Sequence, residues 1–147
     1  MNIDLPDLDA MAAFGGRIAG RLRPGDVVAL SGGLGAGKTT LARAIVNGLG
    51  YDGEVPSPTF TIVETYAPPE VRVPVVHADF YRLGDPQEAE EIGLDDYRAV
   101  AVLIAEWPEN AGGFRQEPTC LSITLEVADG GRVAVVEAGE DWLGRMP

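Results

Sequence analysis

The chain has 147 residues, of which 46% are apolar and 23% charged, and its formal net charge is −12. This balance predicts a single cytoplasmic globular domain over residues 1–147. No apolar run approaches the roughly 20 residues that cross a bilayer, and the acidic N-terminus does not have the pattern of a signal peptide. The one cysteine, Cys120, excludes an internal disulfide, and the acidic surface repels phosphate backbones, so we expect the chain neither to enter a membrane nor to grip nucleic acid directly.

The first third of the chain carries a strand pattern between two helical patterns. Apolar residues at helical spacing predict a helix over residues 11–22, with Asp7 or Asp9 as its cap. The apolar run DVVAL predicts a buried strand over residues 26–30. A glycine-rich loop follows, and an apolar stripe then predicts a second helix over residues 38–49.

The middle of the chain mixes strands with one short helix. Strands are predicted over residues 59–66 and 71–78, and the short turn between them makes an antiparallel pair. Pro74 favours an edge position or a bulge in the second of these strands. Asp85, followed by a proline, then opens a short acidic helix that stops at Gly93.

The last third of the chain is dominated by strands. A continuous apolar run predicts a strand that is buried on both faces over residues 100–105. Alternating residues predict strands over residues 119–127 and 132–138, which an Asp-Gly-Gly turn joins into a hairpin. Taken together, the elements predict a three-layer α/β fold of the P-loop type, with a mixed central sheet and a C-terminal antiparallel hairpin.

Residues 32–39, GGLGAGKT, match the phosphate-loop pattern G-x-x-x-x-G-K-[ST] in full, between a predicted strand and a predicted helix. Glycines let backbone N–H groups turn inward around phosphate oxygens, and the helix N-terminus adds a partial positive charge. Lys38, the only lysine in the chain, is expected to reach the β- and γ-phosphates, and Thr39 to offer its hydroxyl to Mg²⁺. The residues expected to bind the nucleotide are Gly33, Leu34, Gly35, Ala36, Gly37, Lys38, Thr39 and Thr40.

Hydrolysis of a bound nucleotide also needs a carboxylate near Mg²⁺ and a group that orients water. Glu106 directly follows a buried strand and is the predicted metal partner of Thr39, and Asp79 follows another strand. For each of these acids, an ordinary surface position is the alternative. Thr59 opens a predicted strand and is either structural or a sensor of the γ-phosphate, as in mobile switch loops. The candidate catalytic residues are therefore Lys38, Thr59, Asp79 and Glu106.

Four other side chains near these positions carry weaker signals. Arg82 either binds phosphate or pairs with an acid, and Trp107 is a core residue, a partner contact or a wall of the site. His77, the only histidine, is expected to be a structural residue of its strand. Trp142 is expected to pack the C-terminal end.

ATP is the predicted nucleotide. GTPases of the switch class read guanine with an Asn-Lys-x-Asp motif, and this chain has no lysine outside the phosphate loop. A regulatory ATPase that is slow alone and activated within a complex fits the strand-end acids and the lack of an evident acceptor site. A small-molecule kinase and an adaptor that binds nucleotide without turnover are the two alternatives.

Five segments in order resemble one known family. They are LGAGKTT (34–40), SPTFTIVETY (57–66), HADFYRL (77–83), GLDDY (93–97) and IAEWPE (104–109). Over about residues 5–138, their order and spacing are similar to the bacterial TsaE family, the ATPases of tRNA threonylcarbamoyladenosine biosynthesis. Beyond the phosphate loop no single segment is specific, but the five in order are highly specific.

The resemblance implies a small P-loop ATPase that works alongside the TsaD–TsaB pair, which transfers a threonylcarbamoyl group to N6 of adenosine 37 in tRNA. It implies that ATP hydrolysis resets that pair between turnovers and that tRNA is reached only through the partners. It gives Lys38 and Thr39 the phosphate and Mg²⁺ roles, Glu106 a role at Mg²⁺, Asp79 a role near the γ-phosphate and Thr59 a switch-like role.

Two positions depart from the family pattern. Gly33 stands where members often carry an acidic residue, which leaves the phosphate-binding amides in place. Met11 stands where members often carry a threonine, so a nucleotide contact from that segment is not carried over. Arg132, on the C-terminal hairpin, is expected to approach the nucleotide.

Overall fold

Residues 1–56 and 63–147 are described by a computed structural model of the chain. Seven strands and four helices lie within these residues. The strands are β1 (Asn2–Leu5), β2 (Val27–Ser31), β3 (Val63–Tyr66), β4 (Val75–Asp79), β5 (Val102–Glu106), β6 (Cys120–Ala128) and β7 (Gly131–Ala138). The helices are α1 (Leu8–Ala19), α2 (Lys38–Gly48), α3 (Gln87–Glu91) and α4 (Leu94–Arg98), with 3₁₀ turns at Pro108–Ala111 and Glu140–Trp142.

The strands form one mixed sheet in the order β1-β7-β6-β2-β5-β4-β3. Its centre is parallel, since β6, β2, β5 and β4 run in the same direction. The continuous apolar sequences of β2 and β5 suit this position, because both strands are covered on both faces. β3, β7 and β1 pair antiparallel with their neighbours, and β6 and β7 form the predicted hairpin. The mixed sheet and the hairpin are therefore confirmed.

Helices on both faces of the sheet make the predicted three layers. α1 and α2 share a core with one face, which includes Ile104 of β5. α3 and α4 contribute Ala89 and Leu94 to a second core on the other face. Gly15 allows α1 to lie close against α2, because a Cβ at Gly15 would stand 2.4 Å from the Cβ of Ala44.

Several element boundaries differ from those predicted. α1 begins earlier, at Leu8, because the Asp7 carboxylate caps it by accepting the N–H of Ala10 at 2.8 Å. The edge or bulge expected at Pro74 is wrong, since β4 begins after this proline and lies between β5 and β3. β5 begins at Val102 rather than at residue 100, where the side chain is 64% exposed.

Two elements were not anticipated by the sequence patterns. The acidic segment forms two short helices rather than one, and Gly93, with a φ of 76°, separates α3 from α4. β1 pairs antiparallel with β7 at one edge of the sheet, although its short sequence carries little strand pattern of its own. None of the helices in residues 1–56 and 63–147 combines the length and the apolar character that a bilayer crossing requires.

Candidate functional site

The candidate site lies where the parallel strands β2, β4 and β5 end. The phosphate loop leaves β2, while Asp79 ends β4 and Glu106 ends β5. The β-ladders place Asp79 and Leu30 on either side of Glu106. Because the carboxyl ends of parallel strands share one edge of a sheet, residues that are far apart in the sequence meet beside the loop.

Two glycines are required by the geometry of the phosphate loop. Gly32 has a φ of 138°, and a Cβ at this position would stand 2.5 Å from the carbonyl oxygen of Leu125. Gly37 has a φ of 107° at the start of α2, a conformation that glycine adopts readily. The first N–H groups of a helix have no partners within it, so this end of α2 is suited to hold an anion.

Lys38 is buried and turns back into the loop that precedes it. Its ammonium donates to the carbonyl oxygens of Gly32 at 2.8 Å and Gly33 at 2.7 Å, and Nζ lies 4.3 Å from the centre of the Trp107 ring. Burial lowers the pKa of Lys38, and the carboxylate of Glu106 acts in the opposite direction. The lysine is thus held by neutral acceptors, for which an anionic phosphate oxygen is a stronger substitute.

Glu106 joins the phosphate loop to the sheet through both of its carboxylate oxygens. Oε1 accepts the hydroxyl hydrogen of Thr39 at 2.7 Å, and Oε2 lies 2.6 Å from Nε2 of His77. Glu106 is only 2% exposed, and His77 is fully buried. A buried carboxylate is expensive to leave unpaired, so these two hydrogen bonds stabilise the acid in its position at the end of β5.

Asp79 is the more exposed of the two strand-end acids. Its Oδ1 accepts the N–H of Tyr81 at 2.9 Å. Burial raises the pKa of Asp79, and the nearby carboxylate of Glu106 adds to the rise, while the Tyr81 N–H opposes it. A carboxyl group with a raised pKa, beside a phosphate loop, is suited to orient a water molecule or to accept a proton from it.

Trp107 forms a wall of the site, which the sequence left undecided. It has a φ of 55°, and among the described residues it is the one non-glycine residue with a positive φ. Its N–H donates to the carbonyl oxygen of Leu30 at 3.2 Å, and its ring centre lies 5.0 Å from that of Tyr81. The indole therefore reaches across the loop to Lys38 from a backbone conformation that a bulky residue seldom adopts.

A cavity of about 250 Å³ adjoins the phosphate loop on the side of the hairpin. Met11, Thr40 and Arg132 are among its lining residues. Arg132 donates to the carbonyl oxygens of Gly35 at 3.1 Å and Ala36 at 3.0 Å, so the hairpin contacts the loop, and its approach to a nucleotide stays a prediction. A larger open groove of about 740 Å³ lies next to the start of the loop, where Ser31 and Glu109 line it, and none of residues 32–39 does.

The candidate residues that the structure describes meet in one place, and their roles stay predictions. The phosphate-loop residues from Gly33 to Thr40 surround the start of α2, with Gly33, Leu34 and Gly35 exposed to solvent. Asp79 and Glu106 face the loop from the neighbouring strands. Thr59 lies outside the described residues, so nothing is added to its predicted role.

Sequence reasoning missed the contact that His77 makes. His77 is buried in β4, as expected of a structural residue, but its ring also binds the candidate metal acid Glu106. The alternation of the strand carried a signal, because residues two apart share a face and His77 stands two before Asp79. Of the other weak candidates, Arg82 is exposed, and Trp142 is buried as predicted, with Nε1 donating to the Thr119 carbonyl oxygen at 2.8 Å.

Comparisons with known proteins extend the similarity beyond the phosphate loop. The family model of the threonylcarbamoyl adenosine biosynthesis protein TsaE matches residues 5–134. The tRNA threonylcarbamoyladenosine biosynthesis protein TsaE of Streptomyces coelicolor is 41% identical over 138 residues, which cover 90% of this chain and 93% of that protein. The protein of the same name from Haemophilus influenzae is 37% identical over 134 residues, covering 87% and 83%. The crystal structure of Bacillus subtilis YdiB matches with a TM-score of 0.76 at 27% identity, covering 97% of this chain and 88% of that one.

Proposed function

The chain belongs to the TsaE family of threonylcarbamoyl adenosine biosynthesis proteins, and from that premise we propose that it binds and hydrolyses ATP with Mg²⁺. In this proposal it acts on a TsaD–TsaB pair and does not itself transfer the threonylcarbamoyl group. One observation carries the hydrolytic part of this proposal. The hydroxyl of Thr39, in a complete phosphate loop, lies 2.7 Å from the strand-end carboxylate of Glu106. A strand-end acid beside the loop threonine supports this proposal, because Mg²⁺ held there would neutralise the charge that develops in phosphoryl transfer.

The donor atoms of Thr39 and Glu106 fit Mg²⁺. Magnesium prefers oxygen ligands, and in nucleotide sites it takes one or two of them from the protein and the rest from phosphate and water. Within residues 1–56 and 63–147, no group of three or more His, Cys, Asp or Glu offers a site made of protein alone. We therefore expect Thr39 and Glu106 to hold the ion, which when bound neutralises phosphate charge and orients the phosphate.

The other side chains then act on the phosphates and on water. Lys38 exchanges the carbonyl oxygens of Gly32 and Gly33 for the β- and γ-phosphate oxygens, which are stronger acceptors. Asp79 accepts a hydrogen bond from the attacking water and orients it. Thr59 stays the predicted sensor of the γ-phosphate.

The cavity of about 250 Å³ next to the loop suits the base and ribose. It begins at the loop residues Gly35 and Thr40 and ends at Met11 and the hairpin turn. Its walls offer the apolar side chain of Met11 for a flat ring and the guanidinium of Arg132 for polar edges. This placement supports nucleotide binding by a side of the loop that lies away from Glu106.

A basic protein surface is the partner that the charge distribution favours. Residues 51–147 contain nineteen acidic and six basic residues, whereas residues 1–50 are close to neutral. Such a field steers a basic surface towards the chain and repels a phosphate backbone. Action on TsaD–TsaB, with tRNA held by those partners, is consistent with this asymmetry.

Steady-state ATP hydrolysis tests the proposal, measured with Mg²⁺ on this protein alone and then with purified TsaD–TsaB. We expect a slow basal rate that rises when the pair is added. Glu106→Gln, which keeps an acceptor for Thr39 but removes the charge, is expected to lower the rate by about 100-fold, since metal and charge stabilisation are lost. Binding of ADP without Mg²⁺ is the control and is expected to stay unchanged.

Two other outcomes would redirect the conclusion. Tight ATP binding with no hydrolysis, even with the pair present, would identify a nucleotide-gated adaptor. ADP formation that depends on an added small acceptor, with the phosphorylated acceptor seen by mass spectrometry, would identify a kinase.

A further inference from the structure

His77 is a buried polar side chain that the proposed reaction does not yet use. It lies within β4, is fully buried, and is the only histidine of the chain. Its Nε2 is 2.6 Å from Oε2 of Glu106, a short separation for a hydrogen bond between nitrogen and oxygen. The ring therefore contacts the acid that we expect to hold Mg²⁺.

The carboxylate of Glu106 is fixed at two points from opposite sides. Thr39, at the start of α2, donates to Oε1, and His77, from the neighbouring strand, occupies Oε2. The terminal torsion of a glutamate is broad, so one hydrogen bond alone would let the carboxylate rotate. With Oε2 held by the ring, Oε1 and the Thr39 hydroxyl are the two oxygens left to face a cation.

The hydrogen bond also determines the state of the ring. An ionised carboxylate can only accept, so Nε2 carries the proton of this hydrogen bond. Nδ1 is buried and has no hydrogen-bond partner among the described residues. Among the described residues, the contact with Glu106 is therefore the one hydrogen bond of this ring.

We propose that His77 is a positioning residue, which holds the Glu106 carboxylate in the orientation that binds a Mg²⁺–nucleotide together with Thr39. This inference rests on the proposed function, since it takes Glu106 to be a ligand of Mg²⁺. Groups that orient a metal ligand without touching the metal commonly change metal affinity by about 10- to 100-fold when they are removed.

The hydrogen bond itself is tested by NMR of the nucleotide-free protein labelled with ¹⁵N-histidine. Because the chain has one histidine, the spectrum contains a single ring. We expect a proton fixed on Nε2, and we expect the Nε2 signals to shift in Glu106→Gln. Rapidly averaging tautomers, or a spectrum that Glu106→Gln leaves unchanged, would overturn the inference whether or not the protein hydrolyses ATP.

The positioning role is tested by calorimetry of ADP binding with and without Mg²⁺. In His77→Gln the amide nitrogen can still donate to Glu106, whereas His77→Asn is polar but too short and His77→Leu has no donor. We expect His77→Asn and His77→Leu to lose about tenfold of the affinity gained on adding Mg²⁺, with Mg²⁺-free affinity unchanged, and His77→Gln to retain most of the gain. Melting curves of the variants identify any that fail to fold, in which case the Gln and Asn pair carries the comparison.

The outcomes separate this inference from the proposed function. If wild type gains affinity with Mg²⁺ and the Asn and Leu variants gain as much, His77 is structural and only the inference fails. If wild type shows no Mg²⁺-dependent binding of ADP, the proposed function fails as well.

Discussion

The polar groups at the two ends of the parallel strands are arranged in different ways. At the amino end, before β2 and β6, the buried carboxylate of Asp26 is paired in a fixed geometry. Asp26 is 2% exposed, and its two carboxylate oxygens each accept from the Arg145 guanidinium at 2.6 Å. Trp142 is fully buried there, and Arg145 also lies over its ring, 4.0 Å from the centre.

At the carboxyl end, several polar groups make hydrogen bonds that a charged ligand could replace with stronger ones. Lys38 donates to two carbonyl oxygens although acids stand nearby, and Asp79 has a raised pKa. Nδ1 of His77 is unpaired among the described residues, and Trp107 has a positive φ. The comparison teaches that the Asp26–Arg145 pair at one end stabilises the fold, while the polar groups at the other end are those that the proposed function uses.

The largest effect is expected from Lys38→Ala. Lys38 supplies the one ammonium of the loop, so its removal should lower hydrolysis by about 1000-fold, the upper range for loss of one transition-state donor. The melting temperature should not fall, because the variant also removes a buried charge whose pKa is lowered by burial. Hydrolysis assays measure the loss of activity, and thermal melts measure the stability of the variant. An active Lys38→Ala would contradict a catalytic role for the carboxyl end of the strands.

Arg145→Ala should have the opposite profile. It leaves the buried Asp26 carboxylate without its bidentate partner, and we expect the free energy of unfolding to fall by about 3 kcal/mol. Hydrolysis per folded molecule should be unchanged, because Arg145 lies at the amino end of β2, opposite the end from which the phosphate loop leaves. Urea denaturation and ATPase assays measure the two quantities.

The matched control for Arg145 is Arg115→Ala. Arg115 and Glu137 form an ion pair at 2.8 Å, but their side chains are 55% and 63% exposed. We expect a change below about 0.5 kcal/mol, since solvent screens such a pair. An equal loss of stability in both variants would show that burial is not what distinguishes the amino end.

Asp79→Asn is expected to separate stability from activity at the carboxyl end. Hydrolysis should fall by about 100-fold, in the range for loss of a group that orients or deprotonates water. The Tyr81 N–H keeps its acceptor, and the melting temperature at pH 7 should rise by about 2–4 °C, because an ionised carboxylate with a raised pKa opposes folding.

The pH dependence of the stability gained in Asp79→Asn tests whether the ionised Asp79 carboxylate opposes folding. Asp79 has a pKa above its ordinary value of 3.8, so its unfavourable effect is fully present above the raised pKa. The effect disappears as the pH falls towards 3.8, where Asp79 is protonated in both the folded and the unfolded chain. Melting curves of wild type and Asp79→Asn should therefore converge as the pH is lowered from about 8 towards 3.8. A difference that grows as the pH falls would contradict the assignment.

The sequence anticipated the parts of this site that are local. The phosphate loop is contiguous, so its glycines, Lys38 and Thr39 could be read from one pattern. Glu106 and Asp79 could be expected at strand ends, but their position opposite each other depends on the parallel pairing of β4 with β5. No pattern in the sequence determines the order of the strands.

The errors have the same physical origin. Pro74 was expected at an edge or bulge because the valines around it resemble a strand, yet β4 begins only where pairing with β5 and β3 starts. β1 exists because β7 pairs with it, and its own sequence of four residues gives too little signal. The contact between His77 and Glu106 likewise needs the sheet to be assembled.

Apart from the Arg115 control, the smallest effect is expected at Arg132, which belongs to both kinds of region. It is a structural arginine from the hairpin, since it donates to the Gly131 carbonyl oxygen at 2.9 Å, yet it also fixes the carbonyl oxygens of Gly35 and Ala36 in the phosphate loop. Arg132→Ala should lower the free energy of unfolding by about 1 kcal/mol and weaken ADP binding by about fivefold. Arg132→Lys should recover little of either, because a lysine has no planar fork to span the two loop carbonyls. If denaturation shows a loss of stability and calorimetry shows no change in ADP affinity, Arg132 is a structural residue like Arg145. The phosphate loop would then itself contain contacts that serve only the stability of the fold.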